Sequence, residues 1–410
     1  MNTDGSVLVV GASAAGLATV ETLRGKGHRG RVTVLDAATG PPYDRPPLSK
    51  QVLSGAWEPE RAHLRTREAL DALDAEFVLG EAAAGLDVAD RTVRTASGRL
   101  LTAEAVVVAT GLHPRRLPGQ DALRGVHVLR TLDEARDLRR ALGSARRVVV
   151  VGNGVLGSEI AATSATLGLH TTLVGVRAAP MEDRFGPCVA SFLAAHHERG
   201  GVHLVNGTSV AAFSHRQGRV TGVQLSSGPT LPADVVVAAI GCVPATGWLA
   251  ASGLSLDDGV VCDAACRAAP GVYAVGDVAR FHHDGLGRHL RLENRTNATA
   301  QAAVVAANIL GDSLTYAPVP YFWTDQFDAK IQLYGVPAAG ADVTVVEGAP
   351  YRGADDRFVA RYEQGGRTVA VLGWNMPKQA RLHSGSLAAP ASAATTGPAR
   401  TLNAAPPPAP

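Results

Sequence analysis

Two glycine-rich turns carry the chemistry most readily read from this chain. The first, Gly11-Ala-Ser-Ala-Ala-Gly16, follows the apolar run Val7–Val10 and opens a helical stretch, Leu17–Leu23. A glycine at the first position permits the tight strand-to-helix turn, and one at the last lets helix and strand pack closely. Backbone N–H groups at the helix start then face a pyrophosphate. Ser13 replaces the middle glycine and still lets phosphates approach. Asp36 ends the next strand, 20 residues past Gly16, where an acid accepts hydrogen bonds from a ribose hydroxyl.

The second turn, Gly152-Asn-Gly-Val-Leu-Gly157, is a complete fingerprint: Gly152, Gly154 and Gly157 with Val155 and Leu156 between them. It follows Val148–Val151, and Ser158-Glu159 continues its helix. No acid ends the following strand; Gly175 stands there instead, with Arg177 two residues on. This site is therefore expected to take a dinucleotide without the usual ribose carboxylate. Two more buried strands end in small-residue turns, at Thr110-Gly111 and at Gly241, where the chain passes between domains. Gly271–Asp277 is a strand whose terminal Gly276-Asp277 suits a hydroxylated chain such as the ribityl of a flavin.

The elements that position these turns are legible from periodicity. Continuous apolar runs recur at Val7–Val10, Arg31–Leu35, Ala105–Ala109, Val148–Val151, Thr171–Val174 and Val235–Ala239. Such runs are strands buried on both faces of parallel sheets, so the chain reads as α/β. The strand–turn–helix–strand unit occurs twice, its first glycines 141 residues apart, which predicts two Rossmann-like dinucleotide-binding domains. From about Tyr316 to His383 the pattern predicts strands at Ile331–Tyr334, Asp342–Val346, Arg357–Tyr362 and Thr368–Leu372, a small α+β C-terminal domain. Residues 384–410 are rich in Pro and Ala and predict a disordered tail.

Composition excludes several classes. The 410 residues carry a net charge of only +2, with basic residues dispersed, which argues against nucleic-acid binding. No apolar run approaches the ~18 residues of a membrane span, and the polar N-terminus leads directly into a strand, so a cytoplasmic chain is expected. Cys188, Cys242, Cys262 and Cys266 form neither a disulfide framework nor a CxxC pair. No cysteine precedes Cys188, so the first unit's helix carries no dithiol, and neither a dithiol nor a sulfenate mechanism is expected. His196-His197 and His282-His283 read as surface histidines; no HxxxH or HExxH string exists, and no metal is assigned.

The segment Pro42-Tyr-Asp-Arg-Pro-Pro-Leu-Ser-Lys50 makes the reading specific. With Leu129-Arg130-Thr131, Gly271–Asp277, Arg291-Leu-Glu293, Asn297-Ala298, Gln301 and Phe322-Trp-Thr-Asp-Gln326, it resembles the two-dinucleotide flavoprotein oxidoreductases. Within them it is similar to the ferredoxin reductases (rubredoxin/putidaredoxin type) of bacterial oxygenases, over about Val7 to His383. The resemblance implies an FAD domain at residues 1–113 and 241–315, an NAD(P) domain at 114–240 and a C-terminal domain at 316–383 covering the flavin. It implies FAD contacts at Gly11, Ala15, Gly16, Asp36, Arg45, Lys50, Ala83, Arg130, Asp277 and Arg295, and an aromatic near the isoalloxazine at Trp323. Ser13, Thr110, Gly111, Gly241 and Gly276 complete the expected cofactor-binding set.

The implied activity passes electrons from NADH or NADPH through FAD to a small acidic iron–sulfur ferredoxin serving a cytochrome P450 or Rieske oxygenase. A flavin suits this because it takes a hydride and returns electrons singly. Lys50 and Glu159 are expected to pair beside flavin N5; on their own they read equally as an exposed lysine and a solvated acid. Arg295, Lys330, Lys378 and Arg381 are candidate cations for docking near Trp323. Relatives often carry an aromatic or apolar residue in place of Arg295 and an acid in place of Gly175. The latter, with Arg177, leads us to expect weak coenzyme discrimination or a preference for NADPH. Two alternatives stay open: a flavin reductase or oxidase acting on a small acceptor, and a redox-sensing flavoprotein of the apoptosis-inducing-factor type.

Overall fold

The computed structural model describes residues 4–350 and 356–387. The expected disordered tail lies outside them except at 384–387, where Ser384 closes the Pro377–Ser384 helix and Ser386 and Leu387 continue in hydrogen-bonded turns.

Every apolar run expected as a buried strand forms one. In the first sheet, Val272–Ala274, Ala105–Val108, Val7–Val10, Val32–Asp36 and Glu76–Leu79 lie side by side and parallel, and Arg267–Ala269 adds an antiparallel edge. Val7–Val10 sits at the centre of this unit, its four residues buried. On the sheet pack the Ala14–Gly25 and Arg295–Ile309 helices. The second sheet is wholly parallel: Val202–Asn206, His170–Gly175, Arg147–Val151, Val235–Ala238 and Val126–His127.

The two turns repeat each other in detail. Gly11 and Gly152 share a φ of +111°, open to glycine and costly for other residues. A Cβ on Gly11 would strike the Ala109 carbonyl, and one on Gly152 the Ala239 carbonyl. Likewise a Cβ on Gly16 or Gly157 would strike the carbonyl of the first glycine of its own turn. The tight turn and the close helix packing thus follow from the same positions in both copies.

The chain leaves the first unit through Leu112–Pro114 and returns through Cys242–Pro244, and these short strands pair antiparallel. Arg115 N donates to the Gly241 carbonyl (2.9 Å), and Thr110 Oγ1 to the Ala245 carbonyl (2.9 Å). A five-stranded antiparallel sheet follows: Tyr321–Gln326, Ala329–Gly335, Arg367–Trp374, Arg357–Gln364 and Asp342–Ala349. Its hydrophobic face packs on Met181, Phe185, Val189 and Leu193. These last three lie on the Glu182–Arg199 helix, which kinks where Gly186 has φ +71° and Pro187 offers no N–H. No described helix is long and apolar enough to cross a membrane.

The histidine reading is corrected here. His196, His197 and His283 are buried, because each finds a polar neighbour the local sequence does not reveal. His197 Nε2 meets Gln326 Oε1 at 2.7 Å, His283 Nε2 meets the Pro318 carbonyl at 2.9 Å, and His196 Nε2 lies 3.1 Å from Asp328. His282 is half-exposed beside Asp284. Among the described residues no group of three His, Cys, Asp or Glu is arranged to hold a metal ion.

Candidate active site

The first glycine turn delivers its helix N-terminus to a cavity also walled by the Pro46–Ser49 turn, the Val155–Thr166 helix and the Tyr321–Gln326 strand. Of the expected residues, Ala15, Arg45, Lys50, Gly111, Arg130, Val155, Leu156, Glu159, Gly276, Asp277, Arg295 and Trp323 line it. Asp36 and Thr110, together with Arg45 and Arg130, line an adjoining cavity that runs past the end of the second strand. Ala83 lines neither; it begins a strand opposite Thr95.

Asp36 is tied to the first turn. One carboxylate oxygen accepts from Ala12 N (2.5 Å) and the other from Ala38 N (2.7 Å). Ser13 does more than tolerate phosphates: its hydroxyl accepts from Arg45 (2.5 Å), anchoring that guanidinium over the helix start. Arg130 is placed by a capping box, in which Glu134 Oε2 accepts from the backbone of Arg130 and Thr131 (both 2.8 Å) and Thr131 Oγ1 accepts from Glu134 N. Its side chain pairs with Asp277 at 3.0 Å. Gly276 has φ +74°, and a Cβ there would come within 2.9 Å of Ala15.

Arg45 reveals what this cavity takes. It has no carboxylate within ion-pair distance among the described residues, and the Nε atoms of Arg45 and Arg130 are both enclosed without a hydrogen-bond partner. Burial and then the neighbouring Arg130 push the Arg45 guanidinium below its ordinary value, although an arginine stays protonated at neutral pH. Two guanidiniums, each with an Nε that the described residues leave unpaired, beside a helix N-terminus and a glycine cradle fit a pyrophosphate. The residues present therefore fit a dinucleotide such as FAD.

Lys50 and Glu159 meet where the three parts of the chain converge. Lys50 Nζ lies 2.7 Å from Glu159 Oε2, with both side chains about nine-tenths buried (11% and 8% exposed). The bland readings of an exposed lysine and a solvated acid are thereby ruled out. Glu159 also accepts from Ser49 Oγ (2.5 Å) and, at its other oxygen, from Thr324 Oγ1 (2.7 Å). The ammonium faces the Trp323 ring at 5.2 Å. Arg295 pairs with Asp44 at 3.0 Å, so its charge is largely matched within the cavity wall.

Sequence reasoning missed Ser49, Thr324, Asp44 and Cys242. Hydroxyls in a turn or a strand carry no signal of their own, and their partner Glu159 lies more than 100 residues away. Cys242 does reach the cavity, but burial pushes its thiol up, leaving it protonated and a poor nucleophile.

The second turn differs from expectation at its specificity position. The Asn153 side chain fills the space where a Cβ on Gly175 would sit. Its amide donates to the carbonyls of Arg177 (3.1 Å) and Ala179 (3.4 Å) and to Asn206 Oδ1 (3.3 Å). Arg177 pairs with Asp183 at 2.8 Å, and both are more than half exposed.

Comparison with known proteins agrees with this architecture. The model of the family described as pyridine nucleotide-disulphide oxidoreductase matches residues 5–302, and the reductase C-terminal model matches residues 321–400. The chain belongs to the pyridine nucleotide-disulphide oxidoreductase family and carries that C-terminal module. It is 35% identical over 384 residues to putidaredoxin reductase CamA of Pseudomonas putida, covering 92% of this chain and 90% of the relative. It is 34% identical over 371 residues to the ferredoxin–NAD(+) reductase component of the anthranilate 1,2-dioxygenase system of Burkholderia cepacia, covering 90% of each. The crystal structure of the covalent putidaredoxin reductase–putidaredoxin complex matches with a TM-score of 0.89 at 33% identity, covering 94% of this chain and 93% of that one.

Proposed function

We propose that this chain is an FAD-dependent NAD(P)H:ferredoxin reductase, delivering electrons to an acidic iron–sulfur ferredoxin that serves a cytochrome P450 or Rieske oxygenase. Bound FAD would supply the conversion between a two-electron hydride and the single-electron steps of an iron–sulfur centre. The buried Lys50–Glu159 pair, at the meeting of both dinucleotide units and beside Trp323, carries the reading most strongly. It holds a fixed, nine-tenths buried cation at the cavity wall, suited to offset negative charge gained there on reduction.

In this reading residues 1–113 and 241–315 hold FAD, 114–240 hold the coenzyme, and 316–383 cap the cavity. The first turn, Gly11 to Gly16, and Arg45 bind the pyrophosphate, Asp36 the ribose, and Arg130, Gly276 and Asp277 the hydroxylated linker. Gly152 to Gly157 receive the coenzyme, with Gly175 and Arg177 at its adenosine end. Val155, Leu156, Phe322 and Trp323 exclude water around Lys50. The relatives named above, one a component of a dioxygenase system, support the choice of acceptor. Four free cysteines suit a reducing compartment, and we place the protein in the cytoplasm.

A visible spectrum of the purified protein, titrated anaerobically with NADH and NADPH, tests the assignment. A flavin band bleached by either coenzyme is expected. Protein that lacks flavin absorbance and acquires none on adding FAD would overturn it.

A further inference from the structure

A buried polar chain enters the Lys50–Glu159 pair from the C-terminal sheet. Along Tyr321–Gln326, alternate side chains point to opposite faces. Trp323 faces Lys50, whereas Thr324 and Gln326 share the other face and are fully buried. Thr324 Oγ1 contacts Glu159 Oε1 at 2.7 Å and Gln326 Nε2 at 3.1 Å. Gln326 Nε2 also meets Met181 Sδ at 3.2 Å, and its Oε1 lies 2.7 Å from His197 Nε2.

The sense of each bond follows from its neighbour. A carboxylate facing an ammonium only accepts, so Thr324 gives its single proton to Glu159. Thr324 must then accept from Gln326, which turns the amide NH2 toward Thr324 and its carbonyl toward His197. His197 is therefore left to carry its proton on Nε2. Burial favours the neutral ring this requires, lowering His197 to about 4, and among the described residues His197 Nδ1 has no hydrogen-bond partner. Each link of the chain donates toward Glu159, and the second amide proton of Gln326 is left for Met181 Sδ.

We propose that Thr324, Gln326 and His197 are positioning residues for the Lys50–Glu159 pair, a one-way run of donors that fixes the second oxygen of Glu159. Glu159 so held keeps the Lys50 ammonium against Trp323 at the cavity wall. This rests on the flavin reading above but not on the identity of the acceptor. A purely structural role would lower folding stability when the hydroxyl is lost but would leave the flavin potential unchanged.

The test uses the holoprotein with Thr324→Val and Thr324→Ser, NAD(P)H as reductant and no ferredoxin. Thr324→Val should slow flavin reduction about tenfold or more and make the flavin midpoint potential more negative, as Lys50 drifts from the wall. Thr324→Ser should restore both. A folded Thr324→Val variant with wild-type rate and potential would overturn the proposal, as would Ser failing to rescue. If Thr324→Val does not fold, nitrogen-15 NMR of wild-type imidazoles decides. A neutral Nε2–H tautomer of His197 persisting to pH 5 is expected; an Nδ1–H tautomer, or a cation at pH 6, contradicts the chain. Failure of the flavin reading itself would appear separately, as absent flavin absorbance, and leaves the NMR arm intact.

Discussion

The side chain of Asn153 occupies the space into which a side chain at Gly175 would project. The two positions lie 22 residues apart, in the turn and at the end of the next strand, and they are sterically one site. A ribose-binding acid at 175 is thus excluded while Asn153 stays in place, and Asn153 instead staples the loop that carries Arg177.

An acid at position 175 should therefore change coenzyme choice only when Asn153 is replaced with it. Gly175→Glu alone is expected to lower kcat/KM with both coenzymes, because Asn153 is buried and must be displaced. Gly175→Glu with Asn153→Gly should shift the kcat/KM ratio toward NADH by about tenfold, roughly 1.4 kcal/mol. Equal ratios in wild type and double variant would refute the coupling. The Arg177–Asp183 pair is exposed and weak, so Arg177 remains free to turn to a phosphate. Arg177→Ala should raise KM for NADPH more than for NADH.

Lys50→Ala leaves Glu159 charged and buried with only Ser49 and Thr324 as donors. Removing one partner of such a pair costs on the order of 3–5 kcal/mol. Urea denaturation should show that loss, and stopped-flow mixing with NADH should show slower flavin reduction. Lys50→Met with Glu159→Gln should regain stability without regaining the rate.

The continuous valine runs and the paired glycine turns were legible because each signal is local. A parallel strand is apolar throughout, and a glycine at φ +111° stands out by identity. The short antiparallel sheets around 83–102 and 210–232 and the mixed one around 260–290 were not, since half-exposed alternation over three to seven residues resembles loop. Lys50 and Glu159 entered through family resemblance, and the structure then brought them together. The hydroxyls that Glu159 accepts from, on Ser49 and Thr324, stayed hidden, because a serine before Lys50 or a threonine in a strand is unremarkable until the fold joins them. His197 was misread for the same reason: burial of an imidazole depends on Gln326, 129 residues on.

Acid should destabilise the protein in a defined window. His197, at about 4 when folded and near 6.5 unfolded, binds its proton more weakly in the native state. The unfolded chain gains protons first as pH falls, so stability drops between about pH 6.5 and 4. The His197 contribution is on the order of 3 kcal/mol, at about 1.36 kcal/mol per pH unit. His127 and His196, also lowered mainly by burial, act in the same direction. His197→Gln should flatten the slope of unfolding free energy against pH; an unchanged slope would show that His197 is not the group responsible.

Thiol chemistry should be confined to the surface. Cys188 is exposed, whereas burial raises Cys242, drives Cys262 well up and pushes Cys266 to about 12. Limited iodoacetamide at neutral pH should add a single label, at Cys188 by peptide mapping, and leave NAD(P)H-dependent turnover intact. Rapid loss of turnover with a label at Cys242 would point to a thiol role in the cavity.

Transfer to an iron–sulfur acceptor is the central claim, and its most direct test is turnover with a ferredoxin against turnover with free quinone or oxygen at the same NAD(P)H concentration. Lys330, Lys378 and Arg381 lie exposed on the C-terminal module, the first on the strand paired with Trp323's and the other two on the Pro377–Ser384 helix that packs against that paired strand. Complementary charge there should speed encounter with an acidic partner and fade with salt. The account predicts kcat/KM for ferredoxin far above that for quinone or oxygen, falling steeply as ionic strength rises. Turnover no faster with ferredoxin than with quinone, and indifferent to salt, would contradict it.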